Sequence, residues 1–318
     1  MMAINTNHSF GKRTISNGKV DHKNVYKQSS GKHMHLKRFT VGDFFIYGIT
    51  SLICIIFILP FVYVISISLT DPEVYVPFRL YLFPKKLSLE TYEYILSNSA
   101  FITSLKNTLI VTIVGTVLCI FTTYTFAFVL TRRGMPFHKV FMGMVVFTLM
   151  FHPGIIPDYM LVKSIGLMNS RWALILPSLT NAWSLVVAKS FMDSIPYEIQ
   201  ESAKIDGCND LQLFTKMMIP LSKASIATLT LFFAVGHWNV YFKSLIYLTD
   251  STKRTLQVYV KSLLIDASTT GVGVDVMNMP SETVRMATVI LAMLPILVVY
   301  PFLQKYFVKG AMIGAVKG

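Results

Sequence analysis

Charge is scarce in this chain of 318 residues. Only 14% of its positions are charged, where soluble domains carry about a quarter, and Asp and Glu number 16 against 29 Lys and Arg. With 53% hydrophobic residues and a mean hydropathy of +0.56, that scarcity excludes an ordinary soluble domain. Cysteine is equally sparse. Cys54 and Cys119 stand alone in apolar runs and Cys208 in a polar segment, with no CxxC and no His/Cys ligand spacing. A disulfide framework and a zinc site are therefore excluded. No GxxxxGK[ST] occurs, and the Gly11-Lys12 and Gly18-Lys19 pairs lack the upstream glycine, so the chain does not bind ATP by a phosphate loop. No Gly-x-Ser turn lies in an apolar run. His152 and His237, the histidines of those runs, have no carboxylate or thiolate partner at ligand spacing. No catalytic constellation and no metal site is expected.

What the chain has in abundance is long uncharged runs. Residues 44–69, 107–131, a run from 140 interrupted near 151–158, 172–188, 224–242 and 286–303 read as six membrane-spanning helices. The expected fold class is an all-α polytopic membrane protein. Residues 1–43 form a basic, polar N-terminal tail without an apolar core, expected to be disordered and unlike a signal peptide. His22, His33 and His35 are scattered within it. Residues 44–308 are the six-span domain and 309–318 a glycine-rich C-terminal tail. The net charge of +13 is not matched by any aromatic nucleic-acid-binding motif, so no nucleic acid partner is expected. Instead Lys and Arg concentrate in the tail and in the 132–139 loop, with Arg132, Arg133 and Lys139. By the positive-inside rule both termini are cytoplasmic.

Residues 195–221, IPYEIQESAKIDGCNDLQLFTKMMIPL, interrupt this pattern with charges of both signs. Pro196 suits a first helical turn. Ile195, Ile199 and Ala203 form one stripe, opposite Glu198, Glu201 and Lys204. Gly207 can take the positive φ that ends a helix. Asn209 with Gln212 three residues on forms a capping box for a second helix, whose apolar stripe is Leu211, Phe214 and Met218 and whose extent Pro220 limits. Two short helices joined at a glycine make a knob on the cytoplasmic side, too small to cover its own apolar faces.

Glu201-Ser202-Ala203, Asp206-Gly207, Phe214 and Met217-Met218-Ile219-Pro220 resemble the EAA loop of ABC-importer permeases. Ser202 and Cys208 replace the usual alanines, small for small, and Met217 and Ile219 replace the isoleucine and leucine of the last element. Residues 154–169, Asn181-Ala182-Trp183, Gly236-His237-Trp238-Asn239 and the closing Lys309-Gly310 through Gly318 extend the likeness. The chain from Phe44 onward is similar to maltose-transporter-type carbohydrate permeases, some of which take uronate-containing oligosaccharides.

The resemblance implies a type I importer permease fold in a prokaryotic plasma (inner) membrane, with the 195–221 knob as coupling helix. It implies a second, similar permease subunit, two ATPase subunits that bind ATP and Mg, and an extracytoplasmic solute-binding protein. The cargo would be a sugar or oligosaccharide. Glu201, Ser202, Ala203, Asp206, Gly207, Phe214 and Pro220 would dock the ATPase, with Ala203 and Phe214 packing into its cleft. Gly310, Gly314 and Lys317 would reach between the two ATPases. This chain itself would be a non-catalytic subunit without a cofactor.

Asn181, Trp183, His237, Trp238, Asn239, Tyr241 and Lys243 either line a sugar path or serve packing. Rings stack on sugars and amides bond hydroxyls, but Trp and Asn inside spans also fasten helices together or face the interface. The alternatives are an importer permease for a non-sugar solute and a stand-alone secondary transporter. The second needs intramembrane carboxylates for ion coupling, and the expected spans hold none.

Overall fold

The computed structural model describes residues 41–77, 79–132, 134–265 and 282–315. Among them all regular structure is helical, apart from an isolated antiparallel bridge between Thr70 and Leu87. The expected N-terminal tail and Lys317 lie outside the described residues, except for the start of the first helix. That helix, α1 (Val41–Ser68), is apolar and largely exposed as far as Ile65, as a lipid-facing span is, while Ser66, Ile67 and Ser68 at its end are buried. Two units are distinguished, one ending at Ile55 within α1 and one starting at Ile56. Everything that follows belongs to the second.

A short α2 (Glu90–Ser97) leads into α3 (Ser99–Thr131), the helix around which the unit is packed. Asn98 caps it, its side-chain oxygen accepting from the amides of Ala100 and Phe101 at 2.9 and 3.3 Å. The expected second span thus begins eight residues early. Lys106 marks the expected boundary, but a helix does not stop at a single charge. Next come α4 (His138–Met150) and α5 (Ile155–Ser164), bent by 119° at the expected Pro153-Gly154 break. Gly154 has φ +84°, which a residue with Cβ would adopt only under strain. Helix α5 occupies part of the stretch expected to be a mere connection.

The fourth expected span, 172–188, is not one helix. It divides into α6 (Trp172–Ile175), a 3₁₀ turn at Leu176–Ser178 and, after a gap, α7 (Ala182–Asp193). Pro177 lacks the amide that would continue the hydrogen-bond ladder, and Asn181 starts a fresh helix instead. The fifth, α11 (Lys223–Trp238), ends before 239, followed by α12 (Phe242–Tyr247). Helix α13 (Leu256–Ile265) precedes α14 (Glu282–Ala315), which runs on through Pro295 and Pro301. Gly310 and Gly314 are therefore helical rather than part of an extended tail. Among the described residues, three helices are long and apolar enough to cross a membrane alone, or up to five spans if each bent pair counts as one.

Helix α3 packs chiefly on α11 and α7, and α11 also packs on α14. Lipid is as apolar as these side chains, so close packing and buried hydrogen bonds hold the helices rather than a hydrophobic drive. Gly115 lets α11 approach: a Cβ there would lie 2.7 Å from His237 Nε2. The Tyr124 hydroxyl donates to Ser225 Oγ at 2.8 Å and Thr122 Oγ1 to the Leu179 carbonyl at 2.7 Å. Each such bond contributes about 0.6 kcal/mol on average in a membrane protein.

Candidate functional site

The knob forms largely as its local sequence dictates. Helix α8 (Tyr197–Ile205) starts after Pro196 and stops at Asp206, whose amide donates to the Ser202 carbonyl at 2.9 Å. Gly207 then takes φ +82°. Asn209 opens α9 (Asp210–Gln212) with both bonds of the capping box: Asn209 Oδ1 accepts from the Gln212 amide at 2.8 Å, and Gln212 Oε1 from the Asn209 amide at 3.1 Å.

From Leu213 to Met218 the chain winds as a π-helix before α10 (Ile219–Leu221). Ser222 then breaks the path, and the 210–221 segment meets α11 at 80°. The wider π winding brings residues five apart to one side. Leu213 and Met218, at that spacing, are both fully buried, while Leu211 is 70% exposed. The expected stripe of Leu211, Phe214 and Met218 assumed α-helical winding and is corrected to Leu213, Phe214 and Met218.

Of the proposed docking residues, Glu201, Ser202, Asp206, Gly207 and Pro220 are exposed. Ser202 Oγ donates back to the Glu198 carbonyl at 2.7 Å. Ala203 and Phe214 do not face outward. Ala203 is buried in the core that includes Tyr124, Leu213 and Met218, and the Phe214 ring rests 5.1 Å from that of Phe128 on α3. Their expected insertion into a partner's cleft is corrected accordingly. In their place Ile205, 80% exposed, and Leu211 stand out on either side of the Gly207 turn. Ile205 shares a helix face with Glu201. The signal was present in the sequence, as two apolar residues bracketing a charged turn.

The expected pathway residues separate into two groups. His237 and Trp238 are buried. Trp238 belongs to a cluster with Ile95, Phe101, Leu256 and Ala287, and the wall of an apolar cavity of about 370 Å³ between α3, α11 and α14 includes it. Asn181 and Asn239 are exposed but have helix-end duties: Asn181 Oδ1 accepts from the Ser184 amide at 3.1 Å, and Asn239 Nδ2 donates to the Val235 carbonyl at 2.9 Å. Trp183 is half exposed, edge-on to Phe232 at 5.4 Å, and Tyr241 is half-buried.

Lys243 gives these positions a common location. Its Nζ donates to Ser178 Oγ at 3.3 Å, so the break at 176–181 and the break at 239–241 are neighbours. The Cys119 thiol donates to the Ser178 carbonyl at 3.2 Å and lies 3.5 Å from His237 Nε2. Interrupted helices within the membrane are tolerated where they are buried in protein or line a cavity, because lipid cannot satisfy their freed backbone groups. Among the described residues no group of three or more His, Cys, Asp or Glu could hold a metal.

With this geometry in view, three comparisons are informative. The family described as "Binding-protein-dependent transport system inner membrane component" matches residues 116–312. The polygalacturonan/rhamnogalacturonan transport system permease protein YtcP of Bacillus subtilis (strain 168) is 42% identical over 282 residues, covering 87% of this chain and 98% of the relative. Protein LplC of the same organism is 41% identical over 264 residues, 82% of this chain and 90% of its own. A chain in the crystal structure of a bacterial ABC transporter involved in the import of the acidic polysaccharide alginate superposes with a TM-score of 0.77. It is 30% identical, covering 85% of this chain and 99% of the other.

Proposed function

Because the chain belongs to the family of binding-protein-dependent transport system inner membrane components and is a permease of an ABC carbohydrate importer, we propose that its cargo is an acidic, uronate-containing oligosaccharide. One observation carries the cargo assignment. The likeness to a permease named for polygalacturonan and rhamnogalacturonan runs over 98% of that relative, and the structural neighbour is named for another acidic polysaccharide. Lys243, at the paired helix breaks, supplies a positive charge that a carboxylate would favour, and the rings of Trp183 and Tyr241 offer faces to sugars.

In this reading a solute-binding protein delivers the sugar on the outer side, a second permease completes the path, and two ATPase subunits bind ATP and Mg. The chain itself is non-catalytic, and both termini are cytoplasmic. Glu201 pairs with a cation of the ATPase while Ile205 and Leu211 enter its cleft. Exposed apolar side chains beside a helix turn support that role, since they gain by leaving water. Closure of the ATPases then pulls the knob.

The test is uptake by cells expressing the complete importer, with labelled oligogalacturonate and a neutral oligosaccharide of equal length. Preferential uptake of the acidic sugar, lost in a Glu201→Ala variant that still inserts in the membrane, is the expected result. Equal uptake of the neutral sugar would sink the cargo assignment. Normal uptake by Glu201→Ala would sink the docking role.

A further inference from the structure

The end of α3 and the start of the second knob helix are joined by two contacts, and a third on the α3 side links them. Arg132, the residue after α3, forms an ion pair with Asp210. Its guanidinium carbon lies 5.0 Å above the ring of Phe128, one turn back on α3. The Phe128 ring in turn meets Phe214 at 5.1 Å with an interplanar angle of 46°. Guanidinium, carboxylate and two rings thus tie positions 128 and 132 to positions 210 and 214, an i, i+4 pair on each side.

Exposed ion pairs on their own contribute little, because water and salt screen them. This pair is asymmetric: the Arg132 side chain is 18% exposed and that of Asp210 72%. The cation is fixed by the ring beneath it before it reaches the carboxylate, so less side-chain freedom is lost in making the bond. Asp210 also sits in the first helical turn, where a negative charge is favoured.

The covalent route from knob to spans is weak by comparison. It passes through Ser222, where the chain turns by 80° into α11. The buried side chains of Ala203, Leu213 and Met218 seat the knob on Tyr124 and Phe128 of α3, but apolar packing is non-directional and does not by itself fix the knob's rotation. Helix α3, in contrast, packs directly on both α7 and α11. We propose that Arg132 is a positioning residue which makes the coupling loop and α3 move as one body, so that a displacement of the knob reaches the spans rather than being lost in its own rotation. The proposal rests on the importer reading above.

The experiment uses the whole importer reconstituted in proteoliposomes and reads sugar imported per ATP hydrolysed. Arg132→Gln and Asp210→Asn are each expected to lower that ratio about tenfold, with ATPase still bound and hydrolysing: the first removes the ion pair and the ring contact together, and the second leaves the mostly covered guanidinium unmatched. The swapped pair Arg132→Glu with Asp210→Arg is expected to recover part of the ratio, since charge complementarity returns while the ring contact and the favoured helix-start carboxylate do not. Asp210 is largely exposed, so its Asn variant folds even if Arg132→Gln does not. An unchanged ratio in Asp210→Asn overturns the proposal, as does a swapped pair no better than either single change. A wild-type complex that shows no ATP-dependent uptake would instead indict the importer reading and leave the latch geometry without its supposed task.

Discussion

Gly115 and His237 show what one missing methyl group decides. Helix α11 comes so close to α3 that a Cβ on Gly115 would meet three ring atoms of His237 at 2.7 to 2.9 Å. His237 is 6% exposed and its Nε2 also has Cys119 Sγ at 3.5 Å, so the ring has little room to yield. Gly115→Ala is therefore expected to destabilise the detergent-solubilised protein by about 1–3 kcal/mol, read as a lowered midpoint of thermal unfolding. In a His237→Ala background the same change should be nearly neutral; equal losses in both backgrounds would refute the contact. Neither partner's role was legible from the sequence, because a glycine in an apolar run carries no sign of what approaches it. Asp71, just after α1, presents a different case. It is buried, paired with Lys86 at 2.6 Å, and accepts the Glu73 amide at 3.0 Å. The hydrogen bond from Lys86, with the one from the Glu73 amide, holds its carboxyl below the usual carboxylate range. A group whose folded-state pKa is depressed stabilises the fold above its unfolded value, and that contribution disappears as pH falls through the folded value. Amide exchange in residues 71–88 is accordingly expected to be slow and pH-independent in stability near neutrality, and to lose protection only below the ordinary carboxylate range. Lys86→Gln should move that loss to higher pH.

Among the elements, those governed by rules acting over a few residues were readable and those governed by packing were not. The Asn209–Gln212 capping box and the positive φ of Gly207 follow from side-chain chemistry and sterics that need no tertiary partner. The π winding from Leu213 to Met218 does need one. It exists so that Leu213 and Met218 can both enter the core, and no property of LFTKMM announces it. For the same reason the fourth span, read as continuous from its composition, breaks between 176 and 181, where Thr122 and Lys243 bond to the freed segment. The cap is also the element's weak point, since α9 is three residues long and its two capping-box bonds satisfy amides at its start. Asn209→Ala is expected to cost about 1 kcal/mol of local stability, seen as faster hydrogen exchange at residues 210–213 with little change in α3. Exchange that rises equally throughout the protein would show that the knob does not open separately from its support.

For the molecule as a whole, α3 serves as a ruler. Near its start Asn107 Nδ2 donates to the carbonyls of Thr252 and Arg254 at 2.8 and 3.0 Å, which ties it to the connection ahead of α13. Nearby, the Tyr75 hydroxyl meets the Glu282 carboxylate at 2.6 Å at the head of α14. At its far end Arg132 holds Asp210 of the knob. Twenty-five residues of helix separate Asn107 from Arg132, about 38 Å at 1.5 Å per residue. That exceeds a hydrocarbon core of roughly 30 Å, so the two sets of contacts belong on opposite sides of the membrane. Composition alone supplied the choice of side: the knob shares its face with the Arg132 to Lys139 loop, and basic loops stay inside. The expectation is tested with single cysteines in a background where Cys54, Cys119 and Cys208 are replaced. A membrane-impermeant maleimide should label Glu90→Cys in intact cells and Glu198→Cys only after permeabilisation, both positions being exposed in the protein. Labelling of Glu198→Cys in intact cells would place the knob outside, where no ATPase could reach it. Labelling of both in intact cells would mean that α3 does not cross, and the ruler itself would fail.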